Sequence, residues 1–158
     1  MSTVTVTRKQ IARLNPWANS RHRADPTELL GLDSRGIQAI LDVISSGLRW
    51  SSASRFLHVS GLTQMELADY LGVTPRTLAR RKEMGSLNQY ESERIFRLAE
   101  IYDAALHLFD GEKTDARKWL LSPVRGLNDK RPIDYARTDF GAREVRNLIG
   151  RLEHGVFS

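Results

Sequence analysis

The chain has 158 residues, of which 41% are hydrophobic and 27% charged, and its formal net charge is +5. A single core serves roughly 100 to 200 residues, so this length suits one domain or two small ones and excludes large α/β enzymes, while the basic excess favours a polyanionic partner such as nucleic acid. The absence of cysteine excludes disulfide frameworks, thiol nucleophiles, iron–sulfur clusters and cysteine-ligated zinc.

Most of the net positive charge lies in residues 1–25, where five basic residues against one acidic residue give +4. This segment has few apolar residues and a break at Asn15-Pro16, which favours a flexible basic arm. Its first ten residues lack the apolar core of a signal peptide, and no stretch reaches the roughly 18 to 20 apolar residues that span a bilayer. We therefore expect a cytoplasmic protein without a membrane partner.

Three helices are predicted before Gly72. The second of them is short and is expected from about Ser52 to Val59. The next begins at Thr63, because Thr63 and Glu66 have the spacing of a capping box, in which each side chain satisfies a backbone N–H of the first turn. The first helix begins near Ser34, and its apolar residues recur at helical spacing. They are Ile37, Ile40, Leu41, Ile44 and Leu48.

Two further helices are predicted between Thr74 and Phe109. Thr74 supplies an N-cap hydroxyl and Pro75 occupies the first helical position, where its missing N–H costs nothing, so a helix begins here and ends near Met84. A long helix then runs from Gln89 to Phe109. Its apolar stripe consists of Ile95, Leu98, Ala99, Tyr102, Ala105, Leu106 and Phe109.

The rest of the chain is predicted as a short helix, a loop and a final helix. Thr114 is expected to cap the short helix, which must end before Pro123, and residues 124–134 are rich in Gly, Asn, Asp and Pro, typical of a loop. Thr138 is expected to cap the final helix, which ends at Gly155. No segment shows the sustained alternation of apolar and polar residues typical of a strand, so the predicted fold is all-α.

The helices from Thr63 to Leu71 and from Pro75 to Met84, joined by a turn at Gly72, match the helix-turn-helix plan. Leu78 anchors the second helix in that plan, and the side away from it is polar and basic. A recognition helix presents its N-terminal residues to base edges and its basic residues to phosphates. The pattern therefore predicts a DNA-binding domain over residues 26–87; the alternative is a helical hairpin with a merely solvated basic face.

Within this domain, Arg76 and Thr77 are the best candidates for base contacts, because arginine reaches guanine O6 and N7 together and the threonine methyl contacts thymine. Phosphate contacts are expected from three consecutive cations. Because neighbouring residues lie about 100° apart around a helix, the three cannot all face the same groove, and at least one must point away from the DNA, toward the following helix. These cations are Arg80, Arg81 and Lys82. The other predicted DNA contacts are Gln64 and Thr74.

From about Ser34 to the C-terminus, the sequence resembles the Xre/MbcA/ParS family of antitoxins, the partners of RES-domain toxins. In the first half, the resemblance lies in Leu67, Ala68, Leu71, Gly72, Val73, Thr74, Arg76, Thr77, Leu78, Arg80, Arg81, Leu87, Glu91, Ser92 and Arg94. In the second half, it lies in a more selective series: Ala116, Trp119, Leu120, Pro123, Leu127, Pro132, Ile133, Thr138, Gly141, Val145, Arg151, Glu153, Gly155 and Val156.

This resemblance implies an Xre-like helix-turn-helix domain followed by a toxin-binding region over residues 88–158. It implies a toxin that consumes NAD or transfers ADP-ribose and that the antitoxin blocks by covering the active-site entrance. Members of the family dimerise and repress their own operon, which implies a homodimer, a larger complex with the toxin, and operator DNA as a second partner. The helix from Gln89 to Phe109 offers apolar surface for the core or for a subunit interface.

Candidate toxin contacts lie near the C-terminus, because arginine and aromatic residues dominate interface energetics. One departure from the family pattern is Tyr135-Ala136, where relatives tend to have an apolar pair before the threonine, so packing there is expected to differ. The alternative to toxin contacts in this C-terminal segment is a frayed basic terminus. The candidate contacts are Arg143, Arg146, Arg151, Val156 and Phe157.

No arrangement of nucleophile, base and oxyanion donors is evident, and the four histidines are scattered singly, so we expect no enzymatic activity, no cofactor and no metal. Two other functions remain open. One is a stand-alone helix-turn-helix repressor without a toxin partner, and the more remote one is an enzyme that assembles Ser, His and Asp from separate helices.

Overall fold

The computed structural model describes residues 25–33 and 36–155. The predicted basic arm, apart from Asp25, and the candidate toxin contacts Val156 and Phe157 lie outside the described residues. Within them the chain is helical and has no β-strand beyond two isolated bridges, which confirms the all-α prediction. The helices are α1 (Pro26–Leu29), α2 (Ile37–Ser46), α3 (Trp50–Ser60), α4 (Gln64–Leu71), α5 (Pro75–Met84), α6 (Gln89–Leu108), α7 (Lys113–Leu120), α8 (Pro132–Tyr135) and α9 (Asp139–Glu153), with a 3₁₀ turn over Arg125–Leu127.

The described residues form two compact units, one over residues 25–100 and the other over residues 101–155. The boundary between them falls inside α6, whereas the sequence pattern set it before that helix, at residue 88. No described helix has the length and apolarity needed to span a bilayer.

Three of the predicted helix starts form as the sequence indicates. Thr63 Oγ1 accepts a hydrogen bond from Glu66 N at 3.1 Å, and Glu66 Oε2 accepts one from Thr63 N at 2.8 Å, which completes the capping box of α4. Thr74 caps α5 by accepting from Thr77 N at 3.1 Å. Thr138 likewise caps α9 by accepting from a backbone N–H.

The predicted cap of α7 is wrong. This helix begins at Lys113 and its N-cap is Glu112, so Thr114 lies inside the first turn. The reason is the tight end of α6, where Gly111 adopts φ +83° and donates its N–H to Leu106 O at 2.7 Å. That turn brings the chain into the next helix earlier than the threonine hydroxyl suggested.

Leu48 does not continue the stripe of α2 as the sequence pattern predicted. The helix ends at Ser46, and Leu48 is fully buried in an extended segment, where its N–H donates to Ser92 Oγ at 2.8 Å and its carbonyl accepts from Leu87 N at 2.9 Å. Gly47 makes this possible: its φ is +95°, and a Cβ there would collide with the carbonyl oxygen of Leu87. Both constraints reserve this position for glycine.

The predicted first helix forms as α2, but its apolar stripe is not buried. Ile37 is 77% exposed and Leu41 49% exposed, and no residue of α2 is buried. Periodicity therefore predicted the helix correctly, but it did not predict the burial of its apolar face.

Each unit has its own buried apolar side chains. In residues 25–100 the fully buried set includes Phe56, Leu67, Leu71 and Leu78, and in residues 101–155 it includes Tyr102 and Trp119. The stripe of α6 is buried along the helix, so Ile95, Leu98, Ala99, Tyr102 and Ala105 do not offer a subunit interface.

The segment over residues 124–134 is more ordered than the predicted loop. It contains the 3₁₀ turn and the start of α8, at which Pro132 occupies the first helical position. Asn128 and Asp129 adopt φ values of 53° and 57°, and Val124 N donates to Lys130 O at 3.1 Å, which closes a tight turn. The Gly, Asn, Asp and Pro residues thus mark specific turns and a helix start, and the prediction of a plain loop is wrong.

Candidate DNA-binding and toxin-binding surfaces

The helix-turn-helix forms from α4 and α5, as the sequence predicts. Gly72 ends α4 in the left-handed conformation at φ +71°, and Val73 N donates to Ala68 O at 3.0 Å, which closes the turn. Leu78 is 2% exposed and is the one buried residue of α5. This single anchor leaves the side of α5 opposite Leu78 exposed.

The outward face of α5 carries Arg76 and Arg80, both exposed and one helical turn apart. Thr77 is half-buried, and its hydroxyl lies 3.0 Å from that of Thr74, so the two predicted contacts share one hydrogen bond. Lys82 is exposed, but it follows Arg80 by two positions and therefore lies about 160° away around the helix. Gln64 is exposed at the start of α4.

Arg81 points away from the outward face. Its Nε donates to both carboxylate oxygens of Glu91, at 3.1 and 2.9 Å, and the Glu91 side chain is 3% exposed. Glu91 also caps α6, since it accepts from Asn88 N at 3.0 Å while its own N–H donates to Asn88 Oδ1 at 2.8 Å. The geometry agrees with the expectation that at least one cation of the triplet points toward the following helix.

A second set of contacts holds α4 against α6. Tyr70 OH donates to Arg94 O at 2.8 Å, and Arg94 Nη1 donates to Leu71 O at 2.8 Å. The Arg94 guanidinium also lies 4.5 Å from the centre of the Tyr90 ring, within range of a cation–π interaction. Both helices of the motif are therefore fixed by side chains at the beginning of α6.

In residues 101–155, α9 buries one face and exposes the other. The buried residues are Gly141, Ala142, Val145, Leu148 and Ile149. Gly141 N donates to Thr138 Oγ1 at 3.0 Å, and a Cβ at Gly141 would collide with the carbonyl oxygen of Tyr135. The close approach of α8 to α9 therefore depends on this glycine.

The predicted arginines of α9 do not share one face. Arg143 and Arg146 are exposed, whereas Arg151 is half-buried, and Arg146 lies about 60° from Arg143 and about 140° from Arg151 around the helix. At the departure from the family pattern, Ala136 is fully buried and Tyr135 OH accepts from Asn128 Nδ2 at 3.3 Å.

The Tyr102 side chain is fully buried in the core. Burial raises the pKa of the Tyr102 phenol above its ordinary value of 10.0. No group of three or more His, Cys, Asp or Glu residues in the described ranges is placed to hold a metal ion.

Two family models match consecutive parts of the chain. Residues 39–100 match the antitoxin Xre-like helix-turn-helix domain, and residues 104–155 match the antitoxin Xre/MbcA/ParS C-terminal toxin-binding domain. An antitoxin Xre from Yersinia enterocolitica is 39% identical over 128 residues, which cover 80% of each chain. The chain belongs to the Xre/MbcA/ParS antitoxin family.

Further members of the Xre/MbcA/ParS family agree with this. An antitoxin Xre from Photorhabdus laumondii is 33% identical over 117 residues, covering 73% of this chain and 79% of that protein. A chain in the crystal structure of the M. tuberculosis MbcT-MbcA toxin-antitoxin complex superposes with a TM-score of 0.53 at 30% identity, covering 65% of this chain and 90% of that chain. The relatives bear the name antitoxin, and the lack of enzymatic activity stays a prediction.

Sequence reasoning missed two residues of this Xre/MbcA/ParS member. The spacing of Asn88 and Glu91 indicated a helix cap, but no local pattern showed that the carboxylate of Glu91 binds Arg81. Phe140 is 71% exposed on α9. A signal for it was present, since Phe140 precedes Arg143 by three positions and so lies on the polar side of the predicted helix.

Proposed function

We propose that this chain is a type II antitoxin that binds and neutralises a RES-domain toxin and represses its own operon. The observation that carries the first part is the match of residues 104–155 to a toxin-binding domain, together with the similarity to a chain of a toxin–antitoxin complex. The toxin's identity as a NAD-consuming or ADP-ribosylating protein, and the blocking of its active-site entrance, follow from the family resemblance. Since both proposed partners, a protein toxin and operator DNA, would be met in the cytoplasm, a cytoplasmic location is part of the proposal.

Operator binding is supported by the geometry of α5. Its free cations Arg76 and Arg80 share the face opposite the anchor Leu78, and no acidic side chain of the described residues forms an ion pair with either. One helix-turn-helix reads a single half-site, and two-fold dimers read two half-sites about one helical turn apart. We therefore propose that a homodimer binds the operator and that the toxin joins it in a larger complex.

Toxin neutralisation is tested by co-expression with the product of the adjacent reading frame. We expect growth to be restored and the two proteins to co-purify. A chain carrying both Arg76→Ala and Arg80→Ala serves as the matched control, because these changes lie in residues 25–100 and should leave neutralisation intact. Failure of the unaltered chain to bind or rescue would defeat the antitoxin proposal and favour the stand-alone repressor.

DNA readout is tested with Arg76→Ala on operator and random duplexes. A bidentate contact to guanine is worth about 1 to 3 kcal/mol, so affinity for the operator should fall by that amount and sequence preference should relax. Lys113→Ala removes an exposed cation from the other unit and should change neither. Equal losses on both duplexes would place Arg76 on phosphate and contradict its role in base readout.

A further inference from the structure

The exposed side of α9 has a feature that the fold does not use. Phe140 is 71% exposed, and among the described residues of 101–155 it is the one large apolar side chain that is mostly exposed. Burial of an aromatic side chain stabilises a fold, and at Phe140 most of that stabilisation is left unrealised. An exposed aromatic ring of this kind is typical of residues that become buried in an interface.

Phe140 lies in a row with polar residues. Arg143, Asn147 and Arg151 follow it at intervals of three, seven and eleven positions, which places all four on one side of the helix. We call these four residues the α9 stripe. The opposite side is fixed by Ala142, Val145 and Ile149, none more than 2% exposed, so the orientation of the stripe is set by the core.

The polar residues of the α9 stripe have side-chain groups that can form hydrogen bonds and ion pairs with a partner. Arg143 is exposed and makes no ion pair with the described residues. The side chain of Asn147 makes one long hydrogen bond, from Nδ2 to Glu144 Oε1 at 3.5 Å. An aromatic ring flanked by arginines and an amide has the composition of a protein-binding hot spot with a polar rim.

We propose that the α9 stripe is the surface that docks the cognate toxin, with the Phe140 ring in an apolar pocket and with carboxylates of the pocket rim facing Arg143 and Arg151. The proposal rests on the proposed antitoxin function. The α9 stripe lies inside the matched toxin-binding domain, because all four of its residues fall within residues 104–155. The partner is thus a protein surface that is apolar at its centre and acidic at its edge.

Two other partners fit the stripe less well. DNA is disfavoured because Asp139–Glu153 carries three arginines against three acidic residues and has no net charge to attract a polyanion. A second copy of this chain is disfavoured because a two-fold contact would place Arg143 and Arg151 of both copies in one desolvated patch, where like charges repel.

The test is the dissociation constant of the full chain for the purified product of the adjacent reading frame. Phe140→Ala should weaken binding by about 30-fold or more, the loss typical of a hot-spot aromatic residue, and Arg143→Glu should weaken it while Arg143→Lys largely preserves it. Thermal melting of the free Phe140→Ala chain should match that of the unaltered chain. Met84→Ala is the matched control, since Met84 is a 62% exposed apolar side chain of the other unit and should leave binding unchanged.

The outcomes separate this proposal from the one it rests on. If the unaltered chain binds the toxin and Phe140→Ala binds equally well, the stripe is not the docking surface, although the antitoxin function stands. If the unaltered chain does not bind the toxin, the proposed function itself fails. A Phe140→Ala chain that loses self-association in sedimentation while keeping toxin affinity would assign the stripe to a second copy and overturn the proposal.

Discussion

The helices α5 and α9 begin with the same kind of N-cap and differ in the charge and the apolarity of their exposed side chains. Each starts at a threonine whose hydroxyl accepts a backbone N–H three residues later. Pro75–Met84 then has four basic residues against one acidic residue and one buried side chain, whereas Asp139–Glu153 has balanced charges, five buried residues and an exposed phenylalanine. A surplus of charge suits a polyanion, and an aromatic ring among balanced charges suits a protein.

The largest effect is expected at the glycine that lets α9 approach α8. Gly141→Ala places a Cβ against the carbonyl oxygen of Tyr135, and because backbone must move to relieve the collision, we expect a loss of about 3 kcal/mol in the free energy of unfolding. Urea denaturation measures the loss. Toxin capture should fail while operator binding, which depends on the other unit, persists.

Gly150→Ala is the control within the same helix. Apart from its chain neighbours and the backbone of α9 itself, nothing in the described residues lies within 4 Å of a Cβ at Gly150, so the added methyl should stabilise α9 by about 0.5 to 1 kcal/mol through its better helix propensity. A similar loss in both variants would mean that helix backbone, and not the contact with Tyr135, sets the stability of this region.

An intermediate effect separates two adjacent cations of α5. Arg81→Ala leaves the buried carboxylate of Glu91 without its cation, and we expect a loss of about 2 to 3 kcal/mol in the free energy of unfolding. Arg80→Ala removes an exposed cation and should change stability by less than about 0.5 kcal/mol while weakening DNA binding. Denaturation curves and operator titrations of both variants distinguish these roles, and equal stability of the two would refute the positioning role of Arg81.

The smallest effect tests what the two helices share. Thr74→Ala and Thr138→Ala each remove an N-cap and should each lower stability by about 1 kcal/mol, whereas serine at either position should restore most of it by keeping the hydroxyl. Thermal melts of the four variants measure this. If only one of the two alanine variants lost stability, the shared N-cap geometry would not be a shared source of stability.

Local chemistry made the helix starts predictable. The capping box of Thr63 and Glu66 and the caps at Thr74 and Thr138 depend on residues within three positions of one another, so their spacing in the sequence carries the information. The same holds for the helix-turn-helix itself, whose turn requires Gly72 and whose anchor is Leu78.

Contacts between distant segments were not predictable in this way. Helix geometry required one cation of the triplet to turn away, but only the position of Glu91 decides that it is Arg81. Leu48 left its expected stripe because its backbone pairs with Leu87 and Ser92, which lie far along the chain. On α9, helical spacing places Phe140 on the polar side but does not show how far its side chain stays exposed, and so its 71% exposure was not predicted.

The close contact of Gly47 with the carbonyl of Leu87 belongs to the part of the domain that supports α5, and the outward side chains of α5 take no part in it. The residues that frame α5, among them Gly47 and Glu91, have no freedom to change, while Arg76 and Arg80 touch nothing that the frame requires. Under the operator binding proposed above, exchange of the outward side chains of α5 alone would be enough to change the operator preference. On that proposal, the DNA sequence that α5 recognises can change while the residues that hold α5 in place stay the same.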